Sequence, residues 1–220
     1  MKYEAVIFDL DGTLIDSRRD LAEAVNVMRK HYNLEPLSIE TVVSYIGDGV
    51  SKLVERSIAG TGIDLAEAID VKKKAYAENL VVHTVFYEGV LKMLDWLKSN
   101  NIKIALASNK PVEFCRVILE DMKVSQYFDA VYGGCDDFPL KPAGDMVQIA
   151  ANAMNVSTEK CIVVGDNWTD IEAGKNCGCF TCFYPYGMGK LTEVQPDAVF
   201  ENFDELVEIF GKKFGFTKNQ

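Results

Sequence analysis

Two aspartates at positions 9 and 11 follow a short apolar run and precede Gly12. At i and i+2 across a strand end, two carboxylates can converge on one volume. Alone, the string also reads as a turn whose aspartates bond their own backbone, with Gly12 supplying a positive φ. Further chemistry-bearing residues follow later apolar runs. Ser108, with Asn109, brings a hydroxyl and neighbouring amides that can hold phosphate oxygens. Lys141, in Leu140-Lys141-Pro142, offers a compact cation on a loop held by proline. Asp166 and Asp170 stand in Gly165-Asp166-Asn167-Trp168-Thr169-Asp170, again where an apolar run ends. In isolation Ser108 is usually a helix cap, Lys141 a solvated charge, and Asp166 or Asp170 turn or cap chemistry.

The elements that must position these residues are legible as periodicity. Ala5–Phe8, Ile102–Ala107, Ala130–Tyr132, Cys161–Val164, Cys179–Phe183 and Ala198–Phe200 are short apolar runs of the kind that form buried strands. Helical spacing fills the gaps, as in Val90, Leu91, Leu94 and Leu97, or Met146, Ile149, Ala150 and Met154. Strands alternating with helices predict an α/β fold, a doubly wound, mostly parallel sheet with a Rossmann-like core. Residues 16–84 differ, with helices and no convincing strand. Leu21, Ala24, Val25 and Met28 share a face, as do Val50, Leu53, Val54 and Ile58, and Leu65, Ile69, Tyr76 and Leu80; Asp64 is a candidate N-cap. The expected organisation is therefore an α/β core of residues 1–15 and 85–220, with an all-helical cap of residues 16–84 inserted after the first strand. An insertion there lies over the crevice where such sheets bind ligands.

Composition narrows the classes. The chain has 220 residues, 48% hydrophobic and 25% charged, which is globular composition. No apolar stretch reaches the ~18 residues of a membrane span, and Glu4 and Asp9 interrupt any signal-like N-terminus. The net charge of −10 disfavours nucleic acid and anionic membrane as partners. Six cysteines in a chain of this size read as reduced thiols, and the expected location is cytoplasmic. Cys177, Cys179 and Cys182 crowd together without a nearby fourth ligand, so they read as buried thiols rather than a zinc site. His31 and His83 read as caps or surface and Trp168 as packing; no Gly-x-Gly-x-x-Gly follows a strand.

The string Phe8-Asp9-Leu10-Asp11-Gly12-Thr13-Leu14-Ile15-Asp16-Ser17 resembles motif I of the haloacid dehalogenase superfamily, and Ser108, Lys141 and Asp166/Asp170 follow in that family's order. The second aspartate matches its phosphatases and mutases, and the helical insertion resembles the C1 type of cap. Tyr45-Ile46-Gly47-Asp48-Gly49-Val50 and Ala107-Ser108-Asn109-Lys110-Pro111 are similar to phosphoglycolate phosphatases, as are Pro196-Asp197-Ala198 and Phe203-Asp204-Glu205-Leu206. Two positions depart from the pattern: Lys-Pro-x-Pro is Lys141-Pro142-Ala143-Gly144, and Glu88 replaces a frequent proline.

The resemblance implies a magnesium-dependent phosphatase acting on a small phosphorylated metabolite through an aspartyl-phosphate. Asp9 would be the nucleophile and Asp11 the acid/base. Lys141 and Ser108 would offset charge on the nucleophile and phosphoryl oxygens. Asp9, the Asp11 carbonyl and Asp166 would hold Mg2+, with Asp170 orienting its water. Asn109, Gly47, Asp48 and Gly49 are candidate substrate contacts, and Lys52 or Arg56 could meet the leaving group. Alternatives are a β-phosphoglucomutase-like phosphotransferase, a pyrophosphatase or nucleotidase, and a phospho-accepting receiver. The protein is expected as a monomer or homodimer, with cap hinges near Ile15–Ser17 and Val82–Glu88.

Overall fold

Ala5, Val6, Ile7 and Phe8 are all buried, and alternate side chains enter two different cores. A strand apolar on both faces belongs in the middle of a covered parallel sheet. The computed structural model, which describes residues 3–134 and 137–215, has it there. In chain order the first half contains β1 (Ala5–Phe8), β2 (Ile15–Asp16), α1 (Arg18–His31), α2 (Ile39–Val43), α3 (Val50–Ser57), α4 (Leu65–Ala77), β3 (Val85–Phe86) and α5 (Val90–Ser99). The second half contains β4 (Lys103–Pro111), α6 (Val112–Asp121), β5 (Ala130–Gly134), α7 (Asp145–Ala153), β6 (Cys161–Gly165), α8 (Trp168–Asn176), β7 (Phe180–Phe183), β8 (Ala198–Val199) and α9 (Phe203–Phe214).

Six strands form one parallel sheet in the order β5-β4-β1-β6-β7-β8. The chain leaves β1 toward β4 and β5, then returns to its other side with β6. The carboxyl ends of β1, β4 and β6 therefore meet at the point where the strand order reverses, the usual ligand crevice of such sheets. Val6 and Phe8 pack with Leu94, Leu97, Phe203 and Phe210 from α5 and α9 on one face. Ala5 and Ile7 pack with Met146, Ala150 and Ala173 from α7 and α8 on the other.

Helices α1–α4 have an apolar cluster of their own, including Val25, Met28, Val42, Leu53, Val54 and Ala68. Asp64 caps α4 as its position suggested, accepting from the Glu67 amide at 2.9 Å. The buried side of α4 matches the expected one only in part. Leu65 is exposed and Ile69 half-buried, while Ala68, Lys72, Ala75 and Tyr76 are buried. The helix packs on α1 and α3 but also presents Lys72 and Tyr76 to the crevice, and a polar crevice does not select for apolar side chains.

The chain crosses into and out of these helices through a two-residue antiparallel pairing of β2 with β3, too short to register as periodicity. Beside it the buried Asp20 of α1 accepts from the amides of Val82, His83 and Thr84 and from the Thr84 hydroxyl, at 2.7 to 3.1 Å. Among the described residues no helix is long and apolar enough to cross a membrane. The five described cysteines are free and none joins a group able to hold a metal ion; burial pushes the thiols of Cys115, Cys161, Cys179 and Cys182 upward. Cys135 lies outside the described residues.

Candidate active site

Asp9 is the first residue past β1 and Asp166 the first past its parallel neighbour β6; the register sets Gly165 beside Asp9 and Asp166 one residue further on. Asp9 is nearly buried, and its Oδ1 accepts from Lys141 Nζ at 2.8 Å. Among the described residues no hydrogen bond reaches its Oδ2. Burial, more than any neighbour, pushes the Asp9 carboxyl upward, with Lys141 opposing and Asp170 reinforcing the shift. Lys141 Nζ also donates to Asp170 Oδ1 at 2.6 Å and to the Ala107 carbonyl. Held between two carboxylates, its ammonium is stabilised despite burial, and its pKa is raised.

Asp170 is fixed from both sides. Its Oδ2 accepts from the Asn167 amide at 3.0 Å, closing a capping box at the start of α8. Asp166 is held more tightly still: Thr13 Oγ1 donates to Oδ1 at 2.9 Å, and the amides of Met188 and Gly189 donate to Oδ2 at 2.7 and 2.8 Å. Gly12 has to be glycine here, since its φ is +87° and an added Cβ would lie 2.2 Å from Asp166 Oδ2. Burial first, then the charges of Asp170 and Asp9, push the Asp166 carboxyl up.

Oxygens of Asp9, Asp166 and Asp170 lie within 4.8 Å of one another, all buried. Three carboxylates facing one lysine form a crowded, oxygen-only donor set, the chemistry a hard divalent cation takes. The Asp9 and Asp166 carboxyls, raised first by burial and then by the charge of Asp170, would be held ionised by such a cation. A second acidic group, Asp20, Glu23 and His83, is different, because the backbone of 82–84 already occupies Asp20.

The Asp11 side chain turns away from that trio. Both its oxygens accept from Lys110 Nζ at 2.6 Å, and Ser17 Oγ donates to Oδ1. Lys110 is reachable because β4 breaks register against β5 between Ser108 and Pro111. A regular strand would send residues 109 and 110 to opposite faces; the irregularity lets Ser108, Asn109 and Lys110 line one pocket. Sequence reasoning ended this strand at Ala107, and Lys110 entered it only inside a family string. The ring of Tyr76, 4.9 Å from Lys110 Nζ, covers this ion pair from α4.

Asn109 clamps the lysine loop. Its Oδ1 accepts from the Lys141 amide and its Nδ2 donates to the carbonyls of Lys141 and Gly47, each at 2.9 Å. Gly47 and Gly49 therefore reach the pocket, with a Cβ at Gly47 only 2.4 Å from Asn167. Asp48 does not join them; it pairs with Arg56. Arg56 also donates to the Tyr45 carbonyl, and Lys52 pairs with Glu55 in solvent, so neither of these cations lines the pocket. The cation that α4 does bring is Lys72.

Comparison with known proteins agrees with this architecture. Residues 6–184 match the family model described as haloacid dehalogenase-like hydrolase. The chain belongs to that family, a hydrolase of its phosphatase type. It is 37% identical to the phosphoglycolate phosphatase of Aquifex aeolicus over 93% of this chain and 95% of that one. It is 36% identical to phosphoglycolate phosphatase 1 of Pseudomonas aeruginosa, over 92% of this chain and 78% of that one. Among solved structures, a "predicted phosphoglycolate phosphatase" from Haemophilus somnus superposes with a TM-score of 0.89 at 26% identity, covering 95% and 98% of the two chains.

Proposed function

We propose that this chain is a magnesium-dependent phosphatase that hydrolyses 2-phosphoglycolate or a closely similar ester through an aspartyl-phosphate on Asp9, with residues 16–84 acting as the cap. The observation that carries the reading is the division of Asp9: one oxygen is held by Lys141, and the other is free in a pocket it shares with Asp11. The relatives' activity supports the substrate.

Asp9 Oδ2 attacks phosphorus while the bond from phosphorus to the ester oxygen breaks. Turned from Lys110 toward the substrate and protonated, Asp11 gives its proton to the departing alkoxide, then takes one from the water that attacks the acyl-phosphate and frees inorganic phosphate. Before that turn, Lys110 holds both Asp11 oxygens. Lys141 and Ser108 balance charge on the phosphoryl oxygens. Asp9, the Asp11 carbonyl and Asp166 would hold Mg2+, with Asp170 one step out, orienting its water from a position fixed by Lys141 and Asn167. Bound there, the ion would offset the repulsion between phosphate dianion and nucleophile.

The test is phosphate release from a panel of monoesters with magnesium, including 2-phosphoglycolate, glucose 1-phosphates, pyrophosphate and nucleotides. Release that peaks on 2-phosphoglycolate and falls at least about a thousandfold in Asp9→Asn supports the reading; Asp11→Asn should also be severely impaired. Conversion of a sugar phosphate to its isomer would move the assignment to a mutase. No release from any ester would refute it.

A further inference from the structure

Lys72 is the least expected charge in the molecule. It sits on the buried side of α4 with 3% of its surface exposed, yet it lines the same pocket as Asp9 and Asp11. Among the described residues it forms no ion pair and no hydrogen bond. Its nearest aromatic neighbour is Tyr76, whose ring centroid is 4.4 Å from Nζ. Tyr76 is itself buried; its oxygen lies close to the Lys110 ammonium, and its hydroxyl proton has no acceptor. Two groups able to donate to an anion thus stand unsatisfied one helical turn apart. Native interiors rarely leave a buried ammonium or hydroxyl without a partner, so a pair of them beside a pocket points to a ligand.

Charge counting says what kind of ligand. Four carboxylates line the pocket, at positions 9, 11, 166 and 170, against the ammoniums of Lys72, Lys110 and Lys141. Lys110 is committed to Asp11, and Lys141 to Asp9 and Asp170. A divalent cation at the acidic trio would leave Lys72 as the cation without a local counter-charge. Burial, and then the neighbouring Lys110, lower the pKa of Lys72 to about 7, so its positive charge is costly until an anion arrives.

We propose that Lys72, with the Tyr76 hydroxyl beside it, receives a carboxylate on the leaving-group side of the substrate, so that the enzyme selects phosphate esters of short hydroxy acids over uncharged esters of the same size. This rests on the phosphatase reading above and assigns the part of the site that chooses the substrate. The cap cations Lys52 and Arg56 do not line the pocket in this arrangement.

The experiment compares 2-phosphoglycolate with 2-hydroxyethyl phosphate, an ester of similar size in which an uncharged hydroxymethyl replaces the carboxylate, in wild type, Lys72→Met and Lys72→Arg. The readout is the ratio of kcat/KM on the two esters, which cancels any general loss of active protein. Wild type should prefer the carboxylate. Lys72→Met should lower that preference by about 30- to 100-fold, mostly through KM, as expected for losing one buried charge-assisted contact. Lys72→Arg should retain most of it. Methionine fills a similar volume without an unpaired charge, so the Lys72→Met protein should melt no lower than wild type. Equal losses on both esters, or an unchanged ratio, overturn the inference while leaving a phosphatase. If wild type hydrolyses neither ester, calorimetric binding of the two compounds decides. Tighter binding of phosphoglycolate that Lys72→Met abolishes keeps the anion site and sinks the catalytic reading; binding indifferent to Lys72→Met overturns the inference.

Discussion

Lys110→Met isolates the buried ion pair at the heart of the pocket. The two side chains are 4% and 12% exposed, and Nζ lies 2.6 Å from both Asp11 oxygens. Methionine removes the cation and leaves a buried carboxylate with Ser17 as its remaining donor. Stranding one partner of a buried pair costs about 3–5 kcal/mol, and the Ser17 hydroxyl argues for the lower figure. For a chain of this length about 3 kcal/mol lowers Tm by roughly 6–12 °C. Thermal melts in EDTA of wild type, Lys110→Met, Asp11→Asn and the double variant measure this as a cycle. Adding Asp11→Asn to Lys110→Met should recover most of the lost stability. A double variant as unstable as Lys110→Met alone would mean that lysine packing under Tyr76, and not the charge pair, was lost, and the reasoning would be refuted.

Two further outcomes follow from the same geometry. Asp9 and Asp166 have carboxyls raised by burial, to about 6 and about 8, so the folded metal-free protein keeps protons that the unfolded chain has already lost. Its stability should fall as pH rises from ~4 through those values, and magnesium should raise Tm more at pH 8 than at pH 6; a magnesium shift independent of pH would contradict the assignment. Asp20→Ala leaves three amides and a hydroxyl without their acceptor where the chain leaves the helical block. It should cost about 3 kcal/mol and speed proteolysis at 82–84, and an unchanged cleavage rate would show that Asp20 does not hold that crossing.

Much of the site was legible because its residues sit where local pattern is strongest. Asp9, Ser108 and Asp166 end or follow apolar runs that can only be buried strands, and parallel strands bring their carboxyl ends to one edge. Asp170 was readable only through the family motif, because as a local feature it is the third residue of α8, closing a capping box with Asn167. The inserted helical block was read less well. Its local ion pairs, Asp48 with Arg56 and Lys52 with Glu55, absorbed charges that the linear text left free to meet a substrate.

The sequence by itself determined the sheet, the inserted helices and the set of acidic residues at the crevice, because apolar period and strand ends are properties of neighbouring residues. Only the tertiary structure decided that Lys110 pairs with Asp11, since that depends on a register break in β4 against β5. It also decided that α4 buries Lys72 beside the Tyr76 that its periodicity marked as inward. Helical periodicity marks the apolar side of a helix, and α4 turns a polar one toward the pocket; which side goes inward is settled by charges that arrive from strands far away in the chain.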